Sequence, residues 1–127
     1  READITQLHR QVCNYYREVL ADDAARCGFM LPHIPSENED NGHVFYLLLA
    51  DNAQRERVRA HLAEQGIGAY FHYMPLHASA MGAELGYQPD DLPATQRVSA
   101  CLLRLPVYAG LTEVQCAAVV SAVREAL

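Results

Sequence analysis

Apolar residues recur at three- and four-residue steps along the first part of the chain. The residues that follow this spacing are Ile5, Leu8, Val12, Tyr15 or Tyr16, and Val19. This period is typical of an amphipathic helix that buries one face, so the sequence predicts one long helix over residues 3–26. Gly28 stands where a C-cap residue would end that helix.

A strand, a helix and a second strand are predicted next. Residues 31–42 contain two prolines and a polar tail, which are typical of a loop. Residues 43–50 form a short apolar run with aromatic content, which indicates a central strand buried on both faces. A helix over 53–65 leads to a second strand over 67–73. Together these elements form a compact α/β unit.

The helix over 53–65 has a distinct inner and outer side. Asp51 or Asn52 can cap its start, and we expect Val58 and Leu62 to face inward. Three arginines at positions 55, 57 and 59 are expected to lie mostly outward. A solvated helix face explains them better than an anion-binding patch.

The last part of the chain is predicted to contain short helices and one strand. Small and polar residues over 78–89 indicate a loop or a broken helix. A helix over 93–102 starts with proline, which loses no hydrogen bond there. A strand over 103–107 follows, with its proline at the end or at a sheet edge. Thr112 has capping-box spacing to a glutamine and opens a final helix to residue 127.

These elements predict a single α/β (α+β) domain over residues 1–127. The economical architecture is a two-layer sandwich with helices on one side of a three- or four-stranded, mostly antiparallel sheet. The length suits one ordinary domain, and half of the residues are apolar. The first four residues show neither an initiator methionine nor an apolar leader, so we expect that the chain was cut from something longer.

Charge excludes several functions. The net charge of -6 argues against a nucleic-acid partner, and no apolar run is long enough to span a membrane. All ten basic residues are arginine. Without lysine the chain cannot form a Schiff base with a carbonyl compound, nor supply a P-loop lysine.

Four cysteines lack metal-site spacing, and buried free thiols at Cys13 and Cys116 predict a cytoplasmic, reduced setting.

The most distinctive segment is Phe71-His-Tyr-Met-Pro-Leu-His77. Imidazole and phenol groups at a strand end, next to a loop fixed by proline, suit a ligand cleft. We therefore expect a substrate-side role among His72, Tyr73 and His77. The alternative is that His72 and Tyr73 alternate across the sheet, so that only one faces the cleft. A metal site at the two histidines is not expected, because no third ligand completes it.

Arg104 lies between two leucines of a predicted strand, where a solvated charge is unexpected. It is a further candidate for holding a phosphate or carboxylate of a substrate, a task that suits a planar guanidinium. The alternative, which we favour from sequence, is a salt bridge or a sheet-edge position.

The chain resembles the C-terminal small domain of the DegT/DnrJ/EryC1/StrS sugar aminotransferases, of the type I pyridoxal-phosphate fold. The resemblance rests on Phe-His-Tyr-Met-Pro-Leu-His at 71–77 and Leu-Pro-Val-Tyr-Ala-Gly-Leu-Thr at 105–112. The long entry helix, the strand at 43 and the Gly-Ile-Gly at 66–68 also fit. Leu-Leu-Arg-Leu-Pro at 102–106 looks closest to the dTDP-4-oxo-6-deoxy-D-glucose transaminases of that family.

The resemblance implies a homodimeric enzyme that moves an amino group, usually from glutamate, to a nucleotide-linked keto-sugar. Pyridoxal phosphate and its lysine belong to the large N-terminal domain of such enzymes. We therefore expect no catalytic or cofactor-binding residue in this chain, no bound cofactor and no activity on its own. The alternative is a stand-alone ferredoxin-like module that binds an effector without catalysis.

Overall fold

The computed structural model describes residues 2–127, so Arg1 lies outside the described chain. Helices and one small sheet make up the regular structure of this range, with two short 3-10 turns at Leu76–Ala78 and Pro89–Asp91. The elements in chain order are α1 (Glu2–Val19), α2 (Ala21–Cys27), β1 (Phe45–Leu48), α3 (Asn52–Glu64), α4 (Ala80–Glu84), α5 (Pro93–Cys101), β2 (Leu102–Leu105) and α6 (Glu113–Ala126). None of the helices in the described range has the length and apolar character needed to cross a bilayer.

The sheet is antiparallel and has fewer regular strands than the sequence predicts. β1 pairs with β2, with Leu48 opposite Leu102. A single bridge extends each edge, from Met30 to Leu48 and from Tyr70 to Arg104. The prediction of a full strand over 67–73 is therefore wrong, because only Tyr70 pairs.

Two features of β2 explain why this third strand stops after one residue. In the antiparallel register set by Tyr70 and Arg104, the next pairing positions on β2 are Leu102 and Pro106. The Leu102 N–H already bonds to Val98 O as the cap of α5. Pro106 has no N–H to offer. The ladder therefore cannot extend in either direction.

The predicted helix over 3–26 is interrupted at Leu20, and its two parts are α1 and α2. The carbonyl of Val19 accepts a hydrogen bond of 2.9 Å from Arg124 Nη2 of α6. A distant side chain thus bonds to the backbone at the break. The predicted C-cap at Gly28 is confirmed, since it has φ 74° and its N–H bonds to Ala24 O at 3.0 Å.

Most helix boundaries agree with their sequence signals. Asp51 Oδ1 accepts from Gln54 N at 2.7 Å and caps α3, and α5 starts at Pro93. Thr112 and Gln115 form the predicted capping box of α6. Residues 78–89 contain only the five-residue α4 and part of two 3-10 turns, which confirms a broken helix.

The core lies between one face of the sheet and the helices, as the two-layer prediction requires. The strand residues on this face are Phe45, Leu47, Leu103 and Leu105, and all four are buried. They form one cluster with Tyr16 and Leu20 and with residues of α3 and α6, including Leu62 and Val123. The neighbouring residues of β1 are only half-buried. The prediction that this strand is buried on both faces is therefore wrong for its second face.

The two cysteines expected in the core are buried and free. Cys13 donates to Gly42 O at 3.3 Å, and burial raises the pKa of its thiol to about 11. Desolvation by burial also raises the pKa of Cys116. Both thiols are therefore protonated and unreactive at neutral pH, as expected for packing residues.

Acid should weaken the fold through Asp23, a buried carboxylate of α2. Arg124 Nε bonds to its Oδ2 at 2.8 Å and Arg26 Nη2 to its Oδ1 at 2.7 Å. These bonds, that from Arg124 first, hold the pKa of Asp23 below its ordinary 3.8. The stabilisation is therefore present above pH 3.8 and lost as the pH falls through the lowered folded-state pKa.

The measurement is urea unfolding at several pH values between neutrality and strong acid. Asp23→Asn should lower the free energy of unfolding at pH 7 by about 1 kcal/mol, since Arg124 is partly exposed. It should also flatten the loss of stability in acid. Asp22→Asn, at an exposed position of the same helix, is the control. Equal acid sensitivity of wild type and Asp23→Asn would contradict this account.

Candidate functional site

The second face of the sheet is only partly covered, and we call it the open face. Residues that sit directly opposite in an antiparallel pair share one face. The register therefore puts these six residues on the open face: Met30, Tyr46, Leu48, Tyr70, Leu102 and Arg104. The four strand residues are half-buried, whereas Met30 and Tyr70 are about 60% exposed. Among these six residues, Arg104 carries the one charge, and the other five are aromatic or apolar.

Arg104 and His72 form the polar centre of the open face. Arg104 Nη1 lies 2.9 Å from His72 Nδ1. Guanidinium has no acceptor, so Arg104 donates and Nδ1 accepts. The neutral ring of His72 must then carry its proton on Nε2. β2 is an outer strand of the two-stranded sheet, as the sheet-edge alternative requires, although the single bridge to Tyr70 lies on its outer side at Arg104.

Tyr73 lies beside His72 rather than on the opposite side of the backbone. Their ring centroids are 4.5 Å apart, and the peptide bond between them is cis. Both side chains line a cleft of about 520 Å³ between the 72–76 segment and α5. Tyr73 is 74% exposed. The alternative that the two side chains alternate across a sheet therefore does not apply.

His77 is separated from this group. It is buried in the first 3-10 turn, and its Nε2 lies 3.0 Å from Pro89 O, which can only accept. His77 does not appear among the described residues that line the cleft. Its contact joins the two 3-10 turns on either side of α4. The structure thus brings His72, Tyr73 and Arg104 together and puts His77 beneath the neighbouring loop.

Two other features do not form a second polar site. A larger groove of about 690 Å³ lies between α1 and α6, and it is lined by Leu8, Gln11, Val12, Tyr15, Tyr108, Ala109, Leu111, Glu113, Val114, Cys116 and Ala117. None of these lining residues carries a positive charge. Among the side chains that the structure describes, from residue 4 onward, no group of three or more His, Cys, Asp or Glu is arranged to hold a metal ion.

The prediction that Arg55 faces outward is wrong. Its side chain is only 8% exposed, and its Cζ lies 4.5 Å from the centroid of the Phe71 ring. Positions 55, 58 and 62 are three and four residues apart, so Arg55 shares the inner stripe of α3 with Val58 and Leu62. This three- and four-residue spacing could have indicated, from the sequence alone, that Arg55 faces inward. Arg57 is exposed and Arg59 is half-buried, as the solvated-face prediction requires.

Two tyrosines of the open face were also missed by sequence reasoning. Tyr46 is directly opposite Arg104 in the ladder, and Tyr70 bridges to Arg104 from the other side. Strand alternation alone would put Tyr46 on the face away from Phe45 and Leu47. The bridge at Tyr70 has no comparable sequence signal.

The sequence matches the DegT/DnrJ/EryC1/StrS aminotransferase family over residues 2–124. The chain therefore belongs to this family of aminotransferases. It is 34% identical over 92 residues to the pleiotropic regulatory protein of Geobacillus stearothermophilus, covering 72% of this chain and 25% of that protein. It is 31% identical over 120 residues to dTDP-3-amino-3,4,6-trideoxy-alpha-D-glucose transaminase of Micromonospora megalomicea subsp. nigra, covering 93% and 31%.

A solved aminotransferase structure has a fold similar to that of this chain. The crystal structure of the aminotransferase TlmJ from Streptoalloteichus hindustanus superimposes with a TM-score of 0.86 at 21% identity, covering 99% of this chain and 32% of that one. The fold class is thereby confirmed. The chain spans only a quarter to a third of the length of these relatives.

Proposed function

We propose that this chain is the small domain of a pyridoxal-phosphate-dependent transaminase. The substrate would be a nucleotide-linked keto-sugar such as dTDP-4-oxo-6-deoxy-D-glucose, and the amino donor would be glutamate. The observation that carries the proposal is the Arg104–His72 pair on a partly exposed sheet face that also carries two tyrosines. Family membership supports the reaction class.

The cofactor itself must be held elsewhere. Pyridoxal phosphate is bound through a lysine amine, and all ten basic residues here are arginine. The residues present therefore do not fit the cofactor's attachment site. We propose that a separate cofactor-binding domain of the same polypeptide supplies it, and that the chain alone is inactive.

The role of this chain would be to close one wall of the substrate site. Arg104 offers the delocalised positive charge that a phosphate or carboxylate group requires. Once Nδ1 accepts from Arg104, the Nε2–H of His72 is available to donate to a substrate oxygen. Tyr73, at the rim of the cleft, can stack on a sugar or base. His77 would act indirectly, by fixing the loop that follows.

Exposed apolar side chains beside the cleft support a covering partner. Tyr73, Met74 and Leu76 are 74%, 64% and 86% exposed. Several large apolar side chains exposed within one short segment are typical of a contact site. We propose that the cofactor-binding domain covers it and thereby excludes water from the site. We further propose that the full-length enzyme is a cytoplasmic homodimer.

The test is an assay of the full-length protein that contains this chain. With pyridoxal phosphate, glutamate and dTDP-4-oxo-6-deoxy-D-glucose, we expect an amino sugar nucleotide and 2-oxoglutarate in equal amounts. The 127-residue chain under the same conditions should form no product. Amination of a different keto-sugar only would correct the substrate, and the absence of any glutamate-dependent turnover on nucleotide sugars would refute the proposal.

A further inference from the structure

Arg55 is a buried cation that the fold does not fully pair. Its Nε and Nη1 atoms are buried and have no hydrogen-bond partner. Nη1 lies 3.1 Å from Glu56 Oε1, which is an ion-pair distance without hydrogen-bond geometry. The other contact of the guanidinium is the face of Phe71, with Cζ 4.5 Å from the ring centroid. A carboxylate and an aromatic ring thus lie beside the guanidinium, while two of its buried nitrogens have no hydrogen-bond partner.

Stability alone does not explain an arginine at this position. Burial of a charge with unsatisfied donors costs free energy, and an apolar residue of similar volume is often as stable or more stable. The neighbouring inward residues of α3, Val58 and Leu62, are both apolar and fully buried. A leucine or methionine at 55 would fit the same stripe.

Phe71, the ring that Arg55 contacts, directly precedes His72. The segment is fixed before this point by the bridge between Tyr70 and Arg104. Beyond that bridge the backbone leaves the ladder, and Phe71 is 47% exposed. The contact of Arg55 with the Phe71 ring therefore acts where the chain leaves the sheet, one residue before His72.

We infer that Arg55 is a positioning residue for the substrate site. Its guanidinium holds the Phe71 ring, and Phe71 in turn keeps His72 Nδ1 within reach of Arg104. Arg55 touches no substrate and acts only through these two residues. The expected change in KM rests on the proposed function. The expected change in the distance from Arg104 to His72 does not depend on that function.

Kinetics of the full-length protein provide the first test. Arg55→Met keeps the volume and removes the charge, and it should raise KM for the sugar nucleotide about tenfold while kcat changes less than about twofold. Arg55→Lys retains a cation over the ring and should restore KM to within about threefold of wild type. Arg57→Met, the same change at an exposed arginine two residues away, should leave both constants unchanged.

Phe71→Leu provides a second variant in case Arg55→Met does not fold. It removes the ring face at a half-exposed position and leaves Arg55 in place, and it should raise KM by the same factor as Arg55→Met. Equal losses in Arg55→Lys and Arg55→Met would overturn the inference, because the charge would then be irrelevant. An unchanged KM in Phe71→Leu would overturn it as well.

Crystal structures of the variants separate this inference from the proposed function. In Arg55→Met the distance from Arg104 Nη1 to His72 Nδ1 should increase from 2.9 Å to beyond hydrogen-bond range, about 3.5 Å. In Arg57→Met it should not change. A retained contact in Arg55→Met refutes the positioning role even if the enzyme is a transaminase. A lost contact supports it even if the wild-type protein turns out to act on another substrate.

Discussion

Replacing Arg104 with methionine in the full-length protein should lower kcat/KM for the sugar nucleotide about 100-fold. The variant loses the positive charge of the open face and the donor that fixes the proton of His72 on Nε2. Loss of a hydrogen bond to a charged group costs about 1.5–3 kcal/mol, and each 1.4 kcal/mol corresponds to a factor of ten in rate. Steady-state kinetics with varied sugar nucleotide measure this change.

The same variant should fold normally, because Arg104 is only half-buried and the backbone pairing of β2 does not depend on its side chain. Arg97→Met, at an exposed position of α5, is the matched control and should retain wild-type kinetics. Arg104→Lys should give an intermediate loss, since a lysine keeps the charge but not the planar fork. A decrease in kcat/KM of less than about threefold in Arg104→Met would show that Arg104 has only a structural role.

Replacing Tyr16 with alanine should lower the free energy of unfolding by about 3–5 kcal/mol. Tyr16 is fully buried, and its ring packs against Phe45 with centroids 5.3 Å apart. The substitution leaves a cavity between α1 and the sheet that neighbouring side chains fill only in part. Since a whole domain is stable by about 5–15 kcal/mol, a large share of the stability would be lost. Urea unfolding followed by far-UV circular dichroism measures it.

Tyr16→Phe separates the ring from its hydroxyl. The hydroxyl donates to Pro106 O at 3.1 Å, and burial raises the pKa of Tyr16 above its ordinary value, which favours the protonated donor. Loss of this one neutral hydrogen bond should cost about 1 kcal/mol. If Tyr16→Phe were as destabilising as Tyr16→Ala, packing of the ring would not be the main contribution.

The sequence correctly predicted the helix caps, in which a residue either bonds to a partner a few positions away or adopts a conformation that its own residue type favours. Asp51 caps the helix that it precedes, and Thr112 and Gln115 satisfy each other three residues apart. Gly28 adopts the left-handed conformation that glycine favours. In these cases the partners are close along the chain, so the sequence pattern already contains the interaction.

Several of the wrong predictions involve partners that are distant along the chain. At the helix break near Leu20, the carbonyl of Val19 bonds to Arg124, more than 100 residues away. The missing strand at 67–73 depends on the cap of α5 at Leu102 and on Pro106. Helical spacing could have indicated the inward position of Arg55, but not that its guanidinium contacts the ring of Phe71. Periodicity within a window cannot identify such partners.

The candidate site was predicted in part. The sequence singled out His72, Tyr73 and Arg104 for their residue types, and the structure brings them together although two separate segments carry them. The sequence could not show that His77 bonds to the carbonyl of Pro89, because this partner lies on the other side of the loop that contains α4. The role of these residues in substrate binding stays a prediction until the variants are assayed.

The position of α6 also determines the order in which the protein can fold as it is synthesised. This last helix supplies Cys116, Val119, Val120 and Val123 to the core that contains the residues of α1, and its Arg124 bonds to α2. A nascent chain in which α6 has not yet left the ribosome exposes the apolar faces of α1 and β1 without this partner. Closure of this core therefore waits until α6 has been synthesised. Apolar surface exposed in this way promotes aggregation.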